Sequence, residues 1–237
     1  MSSQHKAVYL DKIGASFRVG SAETKSPEKG EVLIRAHALA INPVDWKIQA
    51  SGYTVTEWPV ILGEDIAGTI EAVGDGVTRF KAGQRVLAHT PYLLTKKFEQ
   101  GGFQELVVIP EGAVVQIPDG MKFEDASVLP LAMSTAAAGL YQPKSQVCLE
   151  LPLPTTKPQK TGKTLLVWGG SSSVGTAAIQ LAVASGLTVA TTCSKRNFGL
   201  VEKLGAKAFD YNSPSVVGDL VAELQKGDFA GGYDGKF

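Results

Sequence analysis

Cysteine is almost missing from this sequence. Cys148 and Cys193 are the only two. A disulfide between them stays open, but the sparse count favours two buried free thiols in a reducing compartment. Histidine is nearly as scarce: His5, His37 and His89 share no metal-ligand spacing and read as surface or strand residues. Excess charge is absent too, since 23 Lys and Arg balance 23 Asp and Glu. Nothing therefore draws the chain to nucleic acid or to an anionic membrane. No apolar run is long enough to span a bilayer, and the opening MSSQHKAVYL lacks a signal-peptide core. The expectation is a soluble cytoplasmic protein whose partner is a small-molecule substrate.

What is present is ample core material, with 44% hydrophobic and 19% charged residues over 237 positions. That length fits one large domain or two modest ones. Up to about Val115 the chain reads as short strands broken by turns: AVYL, Glu31–Ile41, Asp65–Val73 before the turn Gly74-Asp75-Gly76, Gln84–Ala88 and Phe103–Ile109. Short strands punctuated by Gly and Pro predict a small β-rich domain with a barrel-like core. From Phe123 the pattern changes to alternating helix and strand, the mark of a parallel sheet. An Ala-rich helix is predicted over Ala126–Leu140, then an extended loop with Pro152, Pro154 and Pro158. The expected domains are residues 1–122 and 123–237, an α/β chain divided near Pro118–Phe123.

The segment KTLLVWGGSSSVG organises the second half. A strand (Leu165–Trp168) enters a turn of small residues, an apolar helix follows, and a second strand is predicted over Leu187–Thr192. This is a βαβ unit with a phosphate-binding turn at its crossover. The G-x-G-x-x-G fingerprint falls on Gly170, Ser172 and Gly175, with serine for the middle glycine. Gly170 is expected to permit the tight turn, and Gly175 the close helix–strand packing. The N–H groups of Ser171, Ser172, Ser173 and Val174 then lie at a helix N-terminus, where the dipole favours a pyrophosphate. Further elements are predicted as a helix (Asn197–Leu204), a strand (Ala206–Tyr211), a helix (Val216–Gln225) and the start of a fourth strand (Phe229–Tyr233). A full two-half dinucleotide fold has about six strands, so the Rossmann portion is expected to be incomplete.

INPVDWK (Ile41–Lys47), PVILGEDIAGTIEAVGDGVTRFKAGQRV (Pro59–Val86), GGFQELVVIP (Gly101–Pro110), LPLAMSTAAAGL (Leu129–Leu140) and the GGSSSVG turn occur in one order. In these blocks the chain resembles the medium-chain dehydrogenase/reductase superfamily. Its nearest likeness there is the zinc-free quinone oxidoreductase branch, with the fungal trans-acting enoyl reductases. The resemblance implies a GroES-like domain, a Rossmann domain that binds NADP, and an active site in the cleft between them. It implies a longer chain as well, so this one looks C-terminally truncated, and a homodimer would depend on the missing half. Where zinc-dependent relatives place a cysteine this chain has Asn42, and where they place His-Glu it has Glu64-Asp65. No cysteine precedes Cys148 to build a structural zinc lobe, so no metal is expected.

An acidic residue at the end of the second strand would bind the ribose 2′-hydroxyl of NADH. That position is Ser194, followed by Lys195, Arg196 and Asn197. A hydroxyl and two cations fit a 2′-phosphate and predict NADPH, although Lys195 and Arg196 read equally as a solvated helix start. The resemblance adds Tyr211 beside that phosphate. It also lays Asn42, Pro43, Val44, Asp45 and Trp46 along the nicotinamide end, where Asn-Pro alone predicts a turn. Tyr53 falls near where some relatives carry a proton-donating tyrosine. Met133, Ser134, Thr135, Ala136, Ala137 and Ala138 would line the substrate cleft, or serve helix–sheet packing. The leading expectation is hydride transfer to an activated double bond or a quinone. The alternative is an NADPH-binding module or fragment without turnover.

Overall fold

Alternating apolar residues in the first half build strands that bury one face. A computed structural model describes residues 4–235, and its contacts divide the chain into two units, Met1–Leu131 and Ala132–Phe237.

The first unit runs β1 (Gln4–Leu10), β2 (Arg18–Glu23), β3 (Glu31–Ala40), α1 (Pro43–Ser51), β4 (Val60–Ile61), β5 (Asp65–Val73), β6 (Arg85–His89), α2 (Tyr92–Thr95), β7 (Leu106–Pro110), β8 (Val114–Gln116) and α3 (Phe123–Ser127). Two antiparallel sheets result, ordered β2-β1-β4 and β7-β3-β5-β6-β8. Val32, Ile34, Ile66, Ile70, Val86, Val107 and Ile109 fill one core. Leu10, Ile48, Ile61, Leu62, Tyr92 and Phe103 fill another. Each such aliphatic side chain contributes about 1.5–3 kcal/mol by leaving water. On a further small cluster, Ala126 of α3 packs with Ala67 and Ile117, and Phe123 lies against it, so α3 groups by contact with the β-rich unit.

The single helix predicted over Ala126–Leu140 is in fact two, α3 and α4 (Pro130–Tyr141). Pro130 is the cause. Its ring disfavours helical backbone at Leu129, while its fixed φ suits the first residue of a new helix. Strands β2, β4 and β8 and helices α1 and α2 are not among the predicted elements. Arg18–Glu23 is mostly exposed and polar, and Val60–Ile61 is only two residues long, so neither carries a readable period.

The second unit continues from α4 through β9 (Lys163–Trp168), α5 (Ser173–Ala184), β10 (Thr188–Cys193), α6 (Phe198–Lys203), β11 (Ala206–Asp210), α7 (Val216–Leu224) and β12 (Asp228–Asp234). Its sheet is parallel throughout, in the order β11-β10-β9-β12. Numbered along the chain within this unit, that is 3-2-1-4, one mononucleotide half plus the first strand of the next. The fourth strand, expected only as a beginning, pairs with β9 from Asp228 to Asp234. Leu165, Val167, Ala178, Ile179, Ala182, Val189 and Val201 form the core, joined by Ala132, Ala136 and Leu140 of α4. Both cysteines are free, but only Cys193 is buried. Cys148 sits half-exposed after a turn, its Sγ 3.4 Å from the Gln146 carbonyl oxygen, because its segment leaves the core. No helix among the described residues is long and apolar enough to cross a membrane.

Strands β3 and β5 approach so closely that Gly68 has no room for a side chain: a Cβ there would collide with the Arg35 carbonyl oxygen and lie 3.1 Å from Ala36 Cα. Backbone cannot yield as a flexible side chain can, so Gly68→Ala is expected to lower stability by about 3 kcal/mol in urea unfolding. An unchanged midpoint would show that the sheet absorbs the methyl.

Candidate functional site

In the second unit, strand β9 ends at Trp168, Gly169 and Gly170 follow, and α5 starts at Ser173. The tight turn belongs to Gly169, whose φ is +79°, and not to Gly170 as the sequence implied. Gly170 is needed for a different reason: a Cβ there would strike the Thr191 hydroxyl and lie 2.9 Å from Ile179 Cδ1. Gly175 has the packing role read from the fingerprint, since a Cβ would meet the Gly169 carbonyl oxygen and sit 2.8 Å from Gly170 Cα. Ser172, at the middle-glycine position, caps α5. Its Oγ accepts the Gly175 N–H at 2.9 Å and donates to the Gly235 carbonyl at 2.7 Å. The turn is also tied to β10, as Gly169 N donates to Thr192 Oγ1 at 3.0 Å and Gly170 N to the Thr192 carbonyl at 2.9 Å. The N–H groups of Ser171, Ser173 and Val174 find no acceptor among the described residues. They stand at the N-terminus of a 12-residue helix, where partial positive charge attracts an anion.

The C-terminal end of β10 carries the next polar group. Ser194, extended, precedes a single 3₁₀ turn over Lys195–Asn197. Lys195 Nζ lies 3.9 Å from Asp210 Oδ2 and its side chain is 81% exposed, so the pair contributes little stability. Arg196 has no ion-pair partner among the described residues. Tyr211, just past β11, is half-exposed. Ser194, Lys195, Arg196, Asn197 and Tyr211 thus follow the ends of two adjacent strands.

In the first unit, Asn42 and Pro43 are the N-cap and first residue of α1 rather than a plain turn. Asn42 N donates to Asp45 Oδ2 at 2.7 Å, and Gly63 N to Asp45 Oδ1 at 3.1 Å. Asn42 Nδ2 donates to Asp65 Oδ2 at 2.8 Å, while Leu131 N reaches Asp65 Oδ1 at 2.6 Å. Glu64, which precedes Asp65 in sequence, has its Oε2 2.7 Å from His89 Nε2. Asp45, Glu64 and Asp65 are each only 2% exposed. Burial pushes the Asp45 carboxyl up to about 6, against the hydrogen bonds from Asn42 and Gly63. Burial also raises Asp65, and it raises the Tyr92 hydroxyl, with Glu64 and Asp45 adding to the effect. Among the described residues, Glu64 Oε1 and the Tyr92 hydroxyl are buried with no hydrogen-bond partner.

The remaining expected residues scatter. Val44 packs against the core under α1, and Trp46 is 57% exposed. Tyr53 is 64% exposed, and only its backbone N is bonded, to Ser51 Oγ. On α4, Met133 and Ser134 face outward, Ala137 and Ala138 are half-buried, and Ala136 is sealed in the core. Thr135 uses its carbonyl to accept the Tyr233 hydroxyl at 3.2 Å. A zinc ion is poorly served here. Asn42 spends its amide on Asp65, Glu64 is held by His89, and among the described residues no three His, Cys, Asp or Glu side chains are placed to hold a metal.

Residues 28–119 match the alcohol dehydrogenase GroES-like domain. The dehydrogenase orsE of Emericella nidulans is 37% identical over 97% of this chain and 70% of its own length. The chain belongs to the medium-chain dehydrogenase/reductase superfamily. A second relative of this superfamily member, the trans-enoyl reductase himH of Aspergillus japonicus, is 48% identical over 90% of the chain. The alignment takes in 61% of himH, so the chain spans under two thirds of that relative. An alcohol dehydrogenase superfamily protein from Novosphingobium aromaticivorans superposes with a TM-score of 0.77 at 29% identity, covering 93% of this chain and 62% of its own. A mycobacterial protein solved with NADPH superposes at 0.68 and 27% identity, over 93% and 62%. These likenesses support the GroES-like unit and the partial Rossmann unit described above.

The buried Asp45 gives a pH signature. Its carboxyl titrates near 3.8 when exposed and near 6 in the fold, so the folded state holds the proton more tightly. The stability it contributes is full below about pH 4 and is lost as pH rises through 6, about 3 kcal/mol in all. In Asp45→Asn this titration is gone. Unfolding in urea at several pH values should show the parent losing about that much relative to the variant between pH 4 and 7. A difference that stays flat with pH would place the Asp45 proton elsewhere.

Proposed function

We propose that the protein is an NADPH-dependent oxidoreductase that works without catalytic zinc and reduces a carbon–carbon double bond conjugated to a carbonyl, or a quinone. The observation that carries this reading is the GGSSSVG turn. Its unsatisfied N–H groups and glycine-only contacts fit a pyrophosphate, and a hydroxyl with two cations replaces the ribose-binding acid at the end of β10. Gly169, Gly170, Ser171, Ser172, Ser173, Val174 and Gly175 would hold the pyrophosphate. Ser194, Lys195 and Arg196 would hold the 2′-phosphate, with Asn197 and Tyr211 beside it. When bound, the nicotinamide supplies hydride, and the protein contributes binding, orientation and proton handling.

Several findings support the choice of substrate class. The relative himH carries the name trans-enoyl reductase, and the mycobacterial neighbour was solved with NADPH. The unmatched donor set around Asn42 and Glu64 favours chemistry without a metal. The segment Asn42–Trp46 would lie toward the nicotinamide, with Asn42 fixed for that purpose by Asp65. Met133 and Ser134 are the helix α4 residues exposed enough to meet substrate.

Thermal unfolding with each nucleotide tests the reading. Binding to the folded state stabilises it by RT ln(1 + [L]/Kd), about 2.7 kcal/mol at a hundredfold excess over Kd. NADPH should raise the midpoint well above the value with equimolar NADH. Lys195→Ala with Arg196→Ala should weaken NADPH about 10- to 100-fold, since two charge-assisted contacts are lost, and shift NADH far less. Equal shifts with both nucleotides would overturn the NADPH assignment. A clear NADPH shift without oxidation of NADPH by any enone, enoyl thioester or quinone would leave a binding module in place of an enzyme.

A further inference from the structure

We propose that Glu64 and His89 form a proton-delivering pair: His89 is the catalytic acid that protonates the α-carbon of the substrate, and Glu64 orients it. The inference rests on the enoyl-reduction reading above. Reduction of a conjugated double bond adds hydride at the β-carbon and a proton at the α-carbon, and nothing so far described supplies that proton.

The candidates narrow quickly. His5 is buried and committed through both ring nitrogens, to Thr24 Oγ1 at 2.9 Å and Gln104 Oε1 at 2.8 Å. His37 is bonded to Thr69 and stacked on Phe123 with ring centroids 4.7 Å apart. The Tyr92 hydroxyl is fully buried and cannot be reprotonated from solvent. Tyr53 is exposed, and its hydroxyl has no partner to orient it.

His89 differs from all four. Its Nε2 is fixed by a buried carboxylate at 2.7 Å, its side chain is 23% exposed, and Nδ1 makes no hydrogen bond to a described residue. One nitrogen is therefore held while the other is free to pass a proton between water and a ligand. Orientation of an imidazole by a buried carboxylate is a recurring arrangement in acid–base sites.

The pair belongs to the same polar cluster as the segment assigned above to the nicotinamide. His89 of β6 lies directly opposite Asp65 of β5. Asp65 in turn accepts from Asn42, next to the segment assigned to the nicotinamide, and from the Leu131 backbone. The titratable groups around the pair are Asp45 of α1, Asp65 of β5 and Tyr92 of α2. The hydrogen bonds to the three carboxylates come from backbone, Asn42 and His89, with no Lys or Arg among them. His89 is thus the one group able to bring positive charge into the cluster by hydrogen bonding.

The step balances. Once the β-carbon has gained its C–H bond, the former π electrons rest on the carbonyl oxygen as an enolate. As that enolate collapses, its electrons form the α C–H bond to the proton on Nδ1, and the Nδ1–H bond breaks. Neutral His89 keeps its Nε2–H toward Glu64 and regains a proton from water at its exposed edge.

The test uses the purified protein, NADPH and a 2-methyl-2-enoyl thioester of N-acetylcysteamine, whose α-carbon becomes a stereocentre on protonation. The parent protein should give one α-configuration. His89→Gln should lower kcat about 10²- to 10⁴-fold and give both configurations, because water then protonates from either side. Label from 4-deuterated NADPH should still reach the β-carbon on one face, a split that a merely structural role would not produce. His89→Asn repeats the test should the glutamine variant fail to unfold cooperatively.

A readout free of turnover examines the pair itself. In long-range ¹H–¹⁵N spectra His89 should carry its proton on Nε2, with that resonance moving upfield in Glu64→Gln. A single α-configuration from both His89 variants, or an Nε2 resonance indifferent to Glu64, overturns the proposal while leaving enoyl reduction standing. A parent protein that binds NADPH yet forms no saturated thioester overturns the enoyl reading, and this proposal with it.

Discussion

One carboxylate ties together segments of the first unit that lie far apart in sequence. Asp65 accepts from the Asn42 side chain through one oxygen and from the Leu131 backbone through the other. It thereby joins the N-cap of α1 to Leu131, at the end of the first unit, across a strand that pairs with β6 through His89. These segments are far apart in sequence, and no hydrophobic contact would fix their relative geometry as two directed hydrogen bonds do. The arrangement is costly, because Asp65 is buried and its carboxyl is raised by that burial. Removing either partner would leave part of a buried carboxylate unsatisfied, a loss of about 1–3 kcal/mol or more.

The turn in the second unit follows a different rule. There the constraint is exclusion of atoms: Gly170 and Gly175 admit no Cβ, because α5 runs against the β9–α5 turn and β10. Ser172 shows how a fingerprint can lose its middle glycine and keep its geometry. The serine sits in extended backbone, φ −73° and ψ 164°, which any residue adopts. Its hydroxyl also caps the helix and holds the Gly235 carbonyl, so the substitution adds two hydrogen bonds to the turn. The neighbouring N–H groups remain free for an anion.

Much of this was legible in the sequence, for physical reasons that vary by element. Strand β5 carries Ile66, Gly68, Ile70 and Ala72 at alternate positions before a Gly-Asp-Gly stop, and its limits match the prediction residue for residue. The parallel sheet announced itself through the strand–turn–helix–strand order. Helix α1 carried a signal that was passed over: Asn42 as N-cap, Pro43 as first residue and Asp45 three beyond the cap form a start signature, but Asn-Pro is equally a turn signal. Which of Gly169 and Gly170 takes positive φ is not written in a Gly-Gly pair. Pro130 could have divided the predicted long helix, yet the Ala-rich run around it outweighed the single breaker. The buried cluster was the least visible feature. Asp45, Glu64, Asp65 and His89 meet only because β3, β5 and β6 pair in one register, and no local pattern encodes a pairing across strands.

The cluster also bears on why the first unit keeps three buried carboxylates beside a histidine. A buried ion pair contributes little to stability on balance, and apolar residues of similar volume are often as good or better. Glu64 is a poor structural choice by that measure, since one oxygen is buried without a partner. An oxygen left unsatisfied beside a largely buried imidazole makes sense as chemistry. It holds His89 in one orientation and balances the charge His89 carries when protonated. It also keeps an acceptor ready beside a site where a proton must be handed over and replaced. A zinc ion, where an enzyme holds one, polarises a carbonyl by accepting electron density. The Glu64–His89 pair does the complementary work, supplying a proton to the carbon that has gained the electrons.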